Sequence, residues 1–306
     1  MTPQIWEQFL IKYSPSALFQ SWKWGEVEKK LGNKIWRLEW EDDAIALVVK
    51  VTARRGTFLH IRHGPVVSDK RYFKKILSDL IELAKKEHAW FVRISPQVQS
   101  LPDLGLVSAP IHAMDAELCW VLDLDKSEED LLSNMRKTTR YEIKHAQEVT
   151  VEKTKKLERF FHLYDATSTR HKFVQHTGIR EEFETLDAEL FVASHQGTDL
   201  AAAIIVYYGD QAIYRHGASL PSKVPASYTT QWEAIREAKY RGKKLYNFWG
   251  IAPEDKLNHP WRGITLFKKG FGGREIKYIH AQDLPISPLY TITRSVETMR
   301  RIVKGY

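Results

Sequence analysis

The sequence predicts an α/β fold, with α+β mixed sheets, divided between two domains. Short apolar runs that are typical of strands alternate along the chain with amphipathic segments of helical period. Residues 33–94 and residues 190–249 follow the same order: a strand meander, an amphipathic helix and a further strand. Because these two segments share little sequence, we expect a duplicated architecture rather than a sequence repeat. The 306 residues suffice for two ordinary domains.

The first half of the chain begins with helices and continues with strands. Trp6 and Phe9 indicate a short opening helix, and Ser21 is placed to cap a second helix that ends at Gly32. Apolar residues at helical spacing predict a longer helix over residues 69–86. The predicted strands cover residues 35–40, 45–51, 57–61 and 89–94.

The second half follows a similar order after an opening strand. Ser127 is placed to cap a long helix that runs to about Gln147, with acidic residues in its first turn. A second helix is predicted over residues 157–169, and a third is capped by Ser227 and ended by Gly242. The predicted strands cover residues 119–124, 149–152, 190–194, 200–208, 211–217 and 245–249.

A basic amphipathic helix is predicted near residue 300. Its apolar positions are Leu289, Ile292, Val296, Met299 and Val303, and its other faces carry Arg294, Arg300, Arg301 and Lys304. Such a helix can lie on an anionic membrane. We expect it instead to dock on the protein surface.

Composition and charge limit the classes of partner that the chain could bind. The chain is 43% hydrophobic and 27% charged, which is ordinary globular composition. Its net charge of +8 favours an anionic partner such as RNA, a phosphate-rich metabolite or an anionic lipid, although it could also serve solubility alone. The lone Cys119 lies in an apolar run and excludes an intramolecular disulfide, so we expect an inert core thiol and a reducing, cytoplasmic compartment. No signal peptide or membrane-spanning run is evident, so we expect a soluble protein that contacts a membrane at most peripherally.

Residues 246–273 are the most informative stretch. A predicted buried strand leads into a polar loop and then into Phe267, Lys268 and Lys269, followed by a glycine-rich end. The stretch is too aromatic for disorder, and long loops in compact domains are often functional. We interpret it as the rim and floor of a substrate site. A surface loop held by aromatic packing is the alternative.

Basic and aromatic residues suggest the ligands of such a site. Arg136, Arg140 and Lys144 recur every four residues and, with Lys137, predict a cationic helix face that suits a phosphate-bearing ligand; a solvated face is the alternative. Aromatic residues with polar tips, which line many ligand grooves, cluster in the second half. They include Tyr214, Tyr228 and Trp249.

Several reaction classes lack their motifs. The sequence has no G-x-S-x-G elbow, no Cys-His nucleophile pattern, no Walker loop and no dinucleotide-binding glycine motif. The histidines show no metal-ligand spacing, and we assign no metal and no cofactor. What remains is direct transfer between two bound substrates, in which Lys268 could stabilise a developing oxyanion.

Five segments together resemble one family. Residues 18–33, 63–67, 135–146, 216–242 and 246–273 are similar to the Fem family of peptidoglycan interpeptide-bridge aminoacyltransferases, of the FemA, FemB and FemX types. The resemblance implies two GNAT-like acyltransferase domains, over residues 1–117 and 118–280, with the helix of residues 281–306 docked on the first. Residues 157–190 leave no room for the coiled-coil arm of FemA types, so the architecture resembles FemX.

The resemblance also implies a reaction and its partners. It implies transfer of an amino acid from aminoacyl-tRNA to the stem-peptide lysine of a precursor, either UDP-MurNAc-pentapeptide or lipid II, without DNA. Phe267 and Lys268 match the family's late Phe-Lys pair, whose lysine stabilises the transition state. Lys29 and Arg180 are the candidates for precursor contacts, and Tyr214, Tyr228 and Trp249 are the candidates for the groove. The four basic residues of the cationic face are the candidates for tRNA phosphates.

Three alternatives to this reaction remain open. Residues 267–272 fit the pyrophosphate loop of acetyl-CoA-dependent N-acetyltransferases, except for Phe267 at the first position. An RNA-binding module without enzymatic activity is compatible with the basic and aromatic residues. An aminoacyl-tRNA-protein transferase is a related enzyme that the sequence does not exclude.

Overall fold

The computed structural model describes residues 1–54, 56–146, 148–171 and 173–306. The helices are α1 (Pro3–Tyr13), α2 (Trp22–Lys30), α3 (Phe73–Lys86), α4 (Glu128–Asn134), α5 (Lys137–Lys144), α6 (Leu157–His171), α7 (Ile179–Thr185), α8 (Ala226–Tyr240), α9 (Arg262–Lys269) and α10 (Tyr290–Val303). The strands are β1 (Ile35–Trp40), β2 (Ala44–Ala53), β3 (Gly56–His63), β4 (Val66–Val67), β5 (Phe91–Pro96), β6 (Val107–Ser108), β7 (Leu118–Asp123), β8 (Val149–Thr154), β9 (Ala188–His195), β10 (Thr198–Tyr208), β11 (Gln211–Ser219), β12 (Leu245–Gly250), β13 (Arg274–Lys277) and β14 (Gln282–Pro285).

The chain folds into two compact units. The first unit combines Met1–Leu118, Gly250–Arg262 and Ile276–Tyr306, and the second combines Cys119–Trp249 and Gly263–Glu275. The domain limits inferred from the sequence, 1–117 and 118–280, stay a prediction. Among the described residues, no helix has the length and apolar character needed to cross a membrane.

The first unit is built on a mixed sheet with the strand order β1-β2-β3-β5-β14-β6, and β4 pairs with β2. The first three strands form an antiparallel meander, and β5 then joins β3 in parallel. Helix α3 supplies the connection, and the apolar residues that predicted it, among them Ile76, Leu80 and Ala84, are fully buried. They pack with Leu59 and Val92 of the sheet, so the predicted meander, helix and strand are confirmed.

A buried ionic cluster fixes helix α10 in the first unit. The Arg93 guanidinium donates to both carboxylate oxygens of Asp283, at 2.6 and 2.8 Å, and to Glu297 Oε2 at 2.8 Å. The Tyr290 hydroxyl donates to Asp283 Oδ2 at 2.9 Å. The helix therefore packs through its polar face, with Tyr290, Thr293 and Glu297 buried. Its predicted apolar stripe makes no part of this contact and is exposed.

The second unit contains a mixed sheet with the strand order β13-β7-β12-β11-β10-β9-β8. Strands β9, β10 and β11 form an antiparallel meander, and β12 joins β11 in parallel after helix α8. The core brings Trp232 and Ile235 of α8 together with Phe191, Ile205 and Phe248 of the sheet. This is the second of the two similar orders that the sequence predicts.

The single helix predicted from Ser127 to about Gln147 is wrong in the structure. Ser127 does cap a helix, since its hydroxyl accepts from the Asp130 amide, but α4 ends at Asn134 and α5 begins at Lys137. Between them, Met135 and Arg136 have extended backbone, and the Arg136 amide donates to Gly270 O at 2.9 Å. A long-range partner for one amide therefore ends the helix. Gln147 lies outside the described residues.

Two smaller corrections concern helix starts. The predicted cap Ser227 lies inside α8, which begins at Ala226 after Pro225 with no side-chain cap. Proline favours a helix start because it has no amide hydrogen to satisfy. Helix α7 was not predicted from the sequence.

Candidate functional site

Helix α9 lies inside the stretch that the sequence analysis interpreted as a loop. Residues 251–261 are irregular, but Arg262–Lys269 forms a helix with basic residues in its last turn, where they complement the helix dipole. Thr265 and Lys268 are buried, whereas Ile264 and Leu266 are exposed. The helix thereby directs a lysine to the interior, which is rarely occupied by lysine.

The glycine-rich end of α9 is held by close packing. A Cβ atom on Gly273 would collide with the carbonyl oxygen of Val121, and the φ of Gly273 is +101°. The Trp120 indole donates to Gly272 O at 2.6 Å, and Phe271 is fully buried against Phe248. These contacts fix the position of the helix end that carries Lys268.

The structure does not contain the pyrophosphate-binding loop that the acetyl-CoA alternative requires at residues 267–272. This pyrophosphate motif must precede a helix, but residues 267–269 form the end of α9, and Gly270–Gly273 lead into strand β13. The match to that motif is therefore wrong in structural context.

A cavity of about 180 Å³ lies beside Lys268 in the second unit. The side chains and backbone that line it come from β11, the end of β12 and α9. They are Tyr214, Arg215, Gly217, Trp249, Ile264 and Lys268. Of the residues predicted from the sequence, the structure thus brings Lys268, Tyr214 and Trp249 together.

A β-bulge explains how neighbouring residues line one cavity. Ile204 pairs with His216 and Ile205 pairs with Tyr214, so Arg215 is the extra residue of the bulge. In a regular strand, Tyr214 and Arg215 would point to opposite faces. A bulge re-aims side chains, and here it lets both contribute to the cavity wall.

Gly217 leaves the space that the Tyr214 ring occupies. A Cβ atom on Gly217 would collide with the Tyr214 hydroxyl and lie 2.5 Å from its Cζ atom. The ring is rigid, so it could not yield without moving as a whole. Burial raises the pKa of Tyr214 to about 12, which keeps its hydroxyl protonated at neutral pH.

Arg215 is held by a buried carboxylate. Its Nη2 donates to Glu182 Oε1 at 3.1 Å, and its Cζ lies 5.1 Å from the centroid of the Trp249 ring. Burial raises the pKa of Glu182, but the Arg215 and His216 charges outweigh it and lower that pKa to about 2. Glu182 is therefore an acceptor only, so the His216 Nε2, at 2.9 Å, donates to it.

Lys268 differs from an ordinary surface lysine. Its exposed fraction is 7%, and burial lowers its pKa from 10.5 to about 7. Burial also raises the pKa of the nearby Cys119 thiol to about 12, so this cysteine stays protonated at neutral pH. At neutral pH, Lys268 exists in both its amine and ammonium forms. A group of this kind can accept or donate a proton.

Trp249 has strained backbone at the cavity. Its φ of 68° lies in the left-handed region, which is unfavourable for a bulky residue. Its amide donates to Asn247 Oδ1 at 2.8 Å, and the Asn247 amide group donates to Gln211 Oε1 at 3.0 Å. Such strain persists where surrounding contacts over-determine it, and it clusters at functional sites.

Other predicted site residues lie elsewhere. Phe267 and Tyr228 pack on each other in the second unit with ring centroids 5.1 Å apart, outside the cavity lining. Arg180 is half exposed and pairs with Glu158 at 3.2 Å. Lys29 belongs to the first unit, where it is exposed and pairs with Glu26 at 3.1 Å. Their substrate contacts stay predictions.

Three of the four residues of the predicted cationic face lie on α5, and Arg136 lies just before it. Their phosphate contacts stay a prediction. Arg136 precedes α5 and donates to Leu266 O at 3.2 Å, and Arg140 donates to Ser133 O and Met135 O at 2.5 and 2.8 Å. Both arginines therefore satisfy carbonyl groups near helix ends. Lys137 and Lys144 are exposed on α5.

The sequence predicted neither Gly217 and Ile264 of the cavity lining nor the charged residues around Arg215. Arg215, Glu182 and His216 form a buried ionic cluster whose arginine reaches the cavity. The available signal was the adjacent Arg and His in a strand that carries no other charged residue, since charges on a buried strand require a partner. Within the described residues, no group of three or more His, Cys, Asp or Glu side chains could hold a metal ion.

Comparisons with known proteins agree with this fold. The sequence model of the FemAB family matches residues 1–101, 111–179 and 175–298, so the chain belongs to the FemAB family. The aminoacyltransferase FemA of Staphylococcus epidermidis is 33% identical over 100 residues, which are 32% of this chain and 22% of that protein. The chain thus matches about a fifth of the length of that relative.

Solved structures support the architecture. A crystal structure of FemX superposes with a TM-score of 0.84 at 19% identity, covering 96% of this chain and 98% of that one. A tandem GNAT protein from the clavulanic acid biosynthesis pathway superposes with a TM-score of 0.53 at 12% identity, covering 93% and 88%. The predicted mixed α/β class with GNAT-like domains is confirmed. In the described part of the chain, the longest helices, α6 and α8, have 15 residues, so no long coiled-coil arm is present there.

Proposed function

We propose that this chain transfers an amino acid from aminoacyl-tRNA to an amine of a peptidoglycan precursor, which is either UDP-linked or lipid-linked. Membership of the FemAB family supports the reaction class. The observation that supports the site is a buried lysine with a pKa of about 7, beside a cavity lined by Tyr214, Trp249 and Arg215. Since aminoacyl-tRNA is a cytoplasmic molecule, we expect the reaction there.

The proposed chemistry is aminolysis of an ester. The precursor amine attacks the carbonyl carbon that joins the amino acid to the tRNA ribose, and a C–N bond forms. The C–O bond then breaks, the amine loses a proton, and the ribose oxygen leaves with one. An ester becomes an amide, so the step needs no ATP.

Lys268 is proposed as the group that assists both charge development and proton transfer. As an ammonium, it would stabilise the oxyanion and donate a proton to the leaving ribose oxygen. As an amine, it would accept a proton from the attacking group. A pKa of about 7 makes both forms available at neutral pH, whereas an exposed lysine would be almost entirely charged.

The other cavity residues are proposed to bind the precursor. The Arg215 guanidinium suits a carboxylate or phosphate of an anionic precursor, and Glu182 fixes its orientation. Tyr214 and Trp249 provide aromatic walls. We keep Lys29, Arg180, Tyr228 and Phe267 as proposed contributors to substrate contacts, and Arg136, Lys137, Arg140 and Lys144 as proposed tRNA contacts. Exposure on α5 supports Lys137 and Lys144 most directly.

A transfer assay tests this proposal. Charged tRNAs are paired with UDP-MurNAc-pentapeptide and, separately, with lipid II, and the products are weighed by mass spectrometry. We expect the precursor to gain the mass of one amino-acid residue only when charged tRNA is present. Acetylation by acetyl-CoA, or equal binding of charged and uncharged tRNA without turnover, would contradict it.

A further inference from the structure

Helix α10 presents an apolar stripe to solvent. Six large apolar side chains, five on the helix and one at its N-cap, have exposed fractions between 38% and 80%. They are Leu289, Ile292, Val296, Met299, Ile302 and Val303. Scattered exposed apolar residues are normal, but a continuous stripe along one helix indicates an interaction surface.

The rotation of the helix about its axis is fixed by its polar side. Glu297 and Tyr290 are buried and belong to the Arg93–Asp283 cluster described above. Turning the stripe inward would withdraw Glu297 from Arg93 and leave a buried charge uncompensated, which is strongly unfavourable. The stripe therefore faces outward as a consequence of these contacts, and each of its side chains is exposed in the part of the chain that the structure describes.

The charges of the helix indicate what it contacts. At 3.6 residues per turn, Arg300 lies at the edge of the stripe, and the exposed Lys304 follows the last turn of α10. Arg294 and Arg301 lie on the side of the helix opposite the stripe. Glu297 is the only acidic residue of the helix, and it is committed to Arg93. The charges of α10 at the edge and at the end of the stripe, Arg300 and Lys304, are therefore both positive.

We propose that α10 binds the surface of an anionic lipid bilayer. The apolar stripe would enter the boundary between headgroups and acyl chains, while Arg300 and Lys304 contact lipid phosphates. Binding of such helices increases with buried apolar area and with attraction to anionic lipid. This surface does not depend on the proposed reaction or on the cavity at Lys268.

A second copy of this chain is a less suitable occupant. The stripe has alternating spacings of three and four residues, which two helices can pair. In either orientation, however, the pairing would bring basic residues opposite basic or neutral ones, with no exposed acid on α10 to compensate. An anionic membrane supplies the missing negative charge.

Vesicle binding tests the proposal. The full chain is incubated with vesicles of phosphatidylcholine, or of equal parts phosphatidylcholine and phosphatidylglycerol, and the bound fraction is measured by sedimentation. We expect binding to the anionic vesicles only. The double variant Met299→Gln/Val303→Gln should bind anionic vesicles at least ~tenfold more weakly, since less apolar area is buried. Replacing both Arg300 and Lys304 by Gln should weaken vesicle binding by ~tenfold, and added salt should do the same to the native chain.

A matched control uses apolar residues outside the helix. Val174 and Tyr240 are 80% and 87% exposed, and Val174→Gln with Tyr240→Gln should leave vesicle binding unchanged. All variants should unfold at the temperature of the native chain, because none of these side chains is buried. Equal binding by the native chain and the Met299→Gln/Val303→Gln variant would overturn the proposal. A second result would also overturn it: the native chain does not bind vesicles but forms a dimer by light scattering, and the Met299→Gln/Val303→Gln variant is monomeric.

Discussion

Arg93 in the first unit and Lys268 in the second are both buried cations, but their surroundings act on them in opposite directions. Burial lowers the pKa of Arg93, yet hydrogen bonds and charges from Asp283 and Glu297 outweigh it and raise that pKa above its usual range. For Lys268, burial dominates and lowers the pKa to about 7. One cation is permanently charged, and the other can change its charge at neutral pH.

The difference separates a structural cation from a reactive one. Arginine keeps its charge and forms several directed hydrogen bonds, so Arg93 can tie β5, β14 and α10 together. A lysine shifts its pKa readily when it is buried, which suits proton transfer. Lys268 also adjoins a cavity, whereas Arg93 and its partners Asp283 and Glu297 are all buried.

The largest effect is expected from removing the structural cation. Arg93→Met would leave Asp283 and Glu297 buried without their partner, and we expect the free energy of unfolding to fall by ~3–5 kcal/mol. Chemical denaturation measures this loss. The control is Arg71→Met, which removes an exposed ion pair with Asp69 and should change little. If the two variants unfold alike, the cluster does not stabilise the first unit.

Removing the reactive cation should affect turnover instead. Lys268→Met should reduce aminoacyl transfer by ~100- to 1000-fold, because the transition state loses a buried charged donor. The neighbouring Lys269→Met should retain transfer, since Lys269 does not line the cavity. Transfer is measured by mass spectrometry on the folded variants. A Lys268→Met variant with native turnover would remove Lys268 from the mechanism.

Lys268→Met should also change how the free energy of unfolding depends on pH. The unfolded chain holds a proton on Lys268 up to a pKa near 10.5, but the folded chain releases it near pH 7. Between these values the unfolded state binds more protons, so stability should rise with pH across this window. Below pH 7 the full cost of burying the ammonium remains. Lys268→Met should therefore be more stable than the native chain at pH 7 and lose this pH dependence.

Much of the fold could be predicted because it is encoded locally. Alternating and helical periodicity identified the meanders and α3, since burial of one face imposes a period on the sequence. The break between α4 and α5 could not be predicted in this way. It depends on the Arg136 amide reaching Gly270 O, across more than half of the second unit's sequence.

The site was predictable only in part for a similar reason. Lys268, Tyr214 and Trp249 belong to recognisable local segments, and the cavity contains all three. Arg215 depends on a bulge and on Glu182, which is 33 residues away. The apolar stripe of α10 was found, but its direction was not, because buried ion pairs rather than apolar residues orient the helix.

A third cation lies between these two extremes, and Glu182→Gln tests its role. Arg215 is paired, like Arg93, but also lines the cavity, like Lys268. The change keeps a hydrogen-bond acceptor and removes the charge that orients Arg215. We expect the KM for the precursor to rise ~tenfold with a smaller change in kcat, since charged hydrogen bonds are worth more than neutral ones. Steady-state kinetics measure both constants.

The control for this variant lies on the same helix. Glu184 is exposed, and Glu184→Gln should leave both kinetic constants unchanged. An unchanged KM in Glu182→Gln would place Arg215 with Arg93 as a structural cation. A loss of stability without a kinetic effect in the folded variant would lead to the same conclusion.

The smallest effect is expected where charge is untouched and only the cavity wall moves. Gly217→Ala places a Cβ atom against the Tyr214 ring, and overpacking of this kind costs ~1–3 kcal/mol when the neighbour cannot yield. Because the ring faces a cavity, we expect it to shift into that space. Aminoacyl transfer should then fall only ~three- to tenfold, in line with the lower part of that range.

Gly263→Ala on α9 has open space around its Cβ position and should leave transfer unchanged. Tyr214→Phe combined with Gly217→Ala should recover part of the loss, because the hydroxyl makes the closest approach. A combined variant no more active than Gly217→Ala would mean that the position of the Tyr214 ring does not govern access to Lys268.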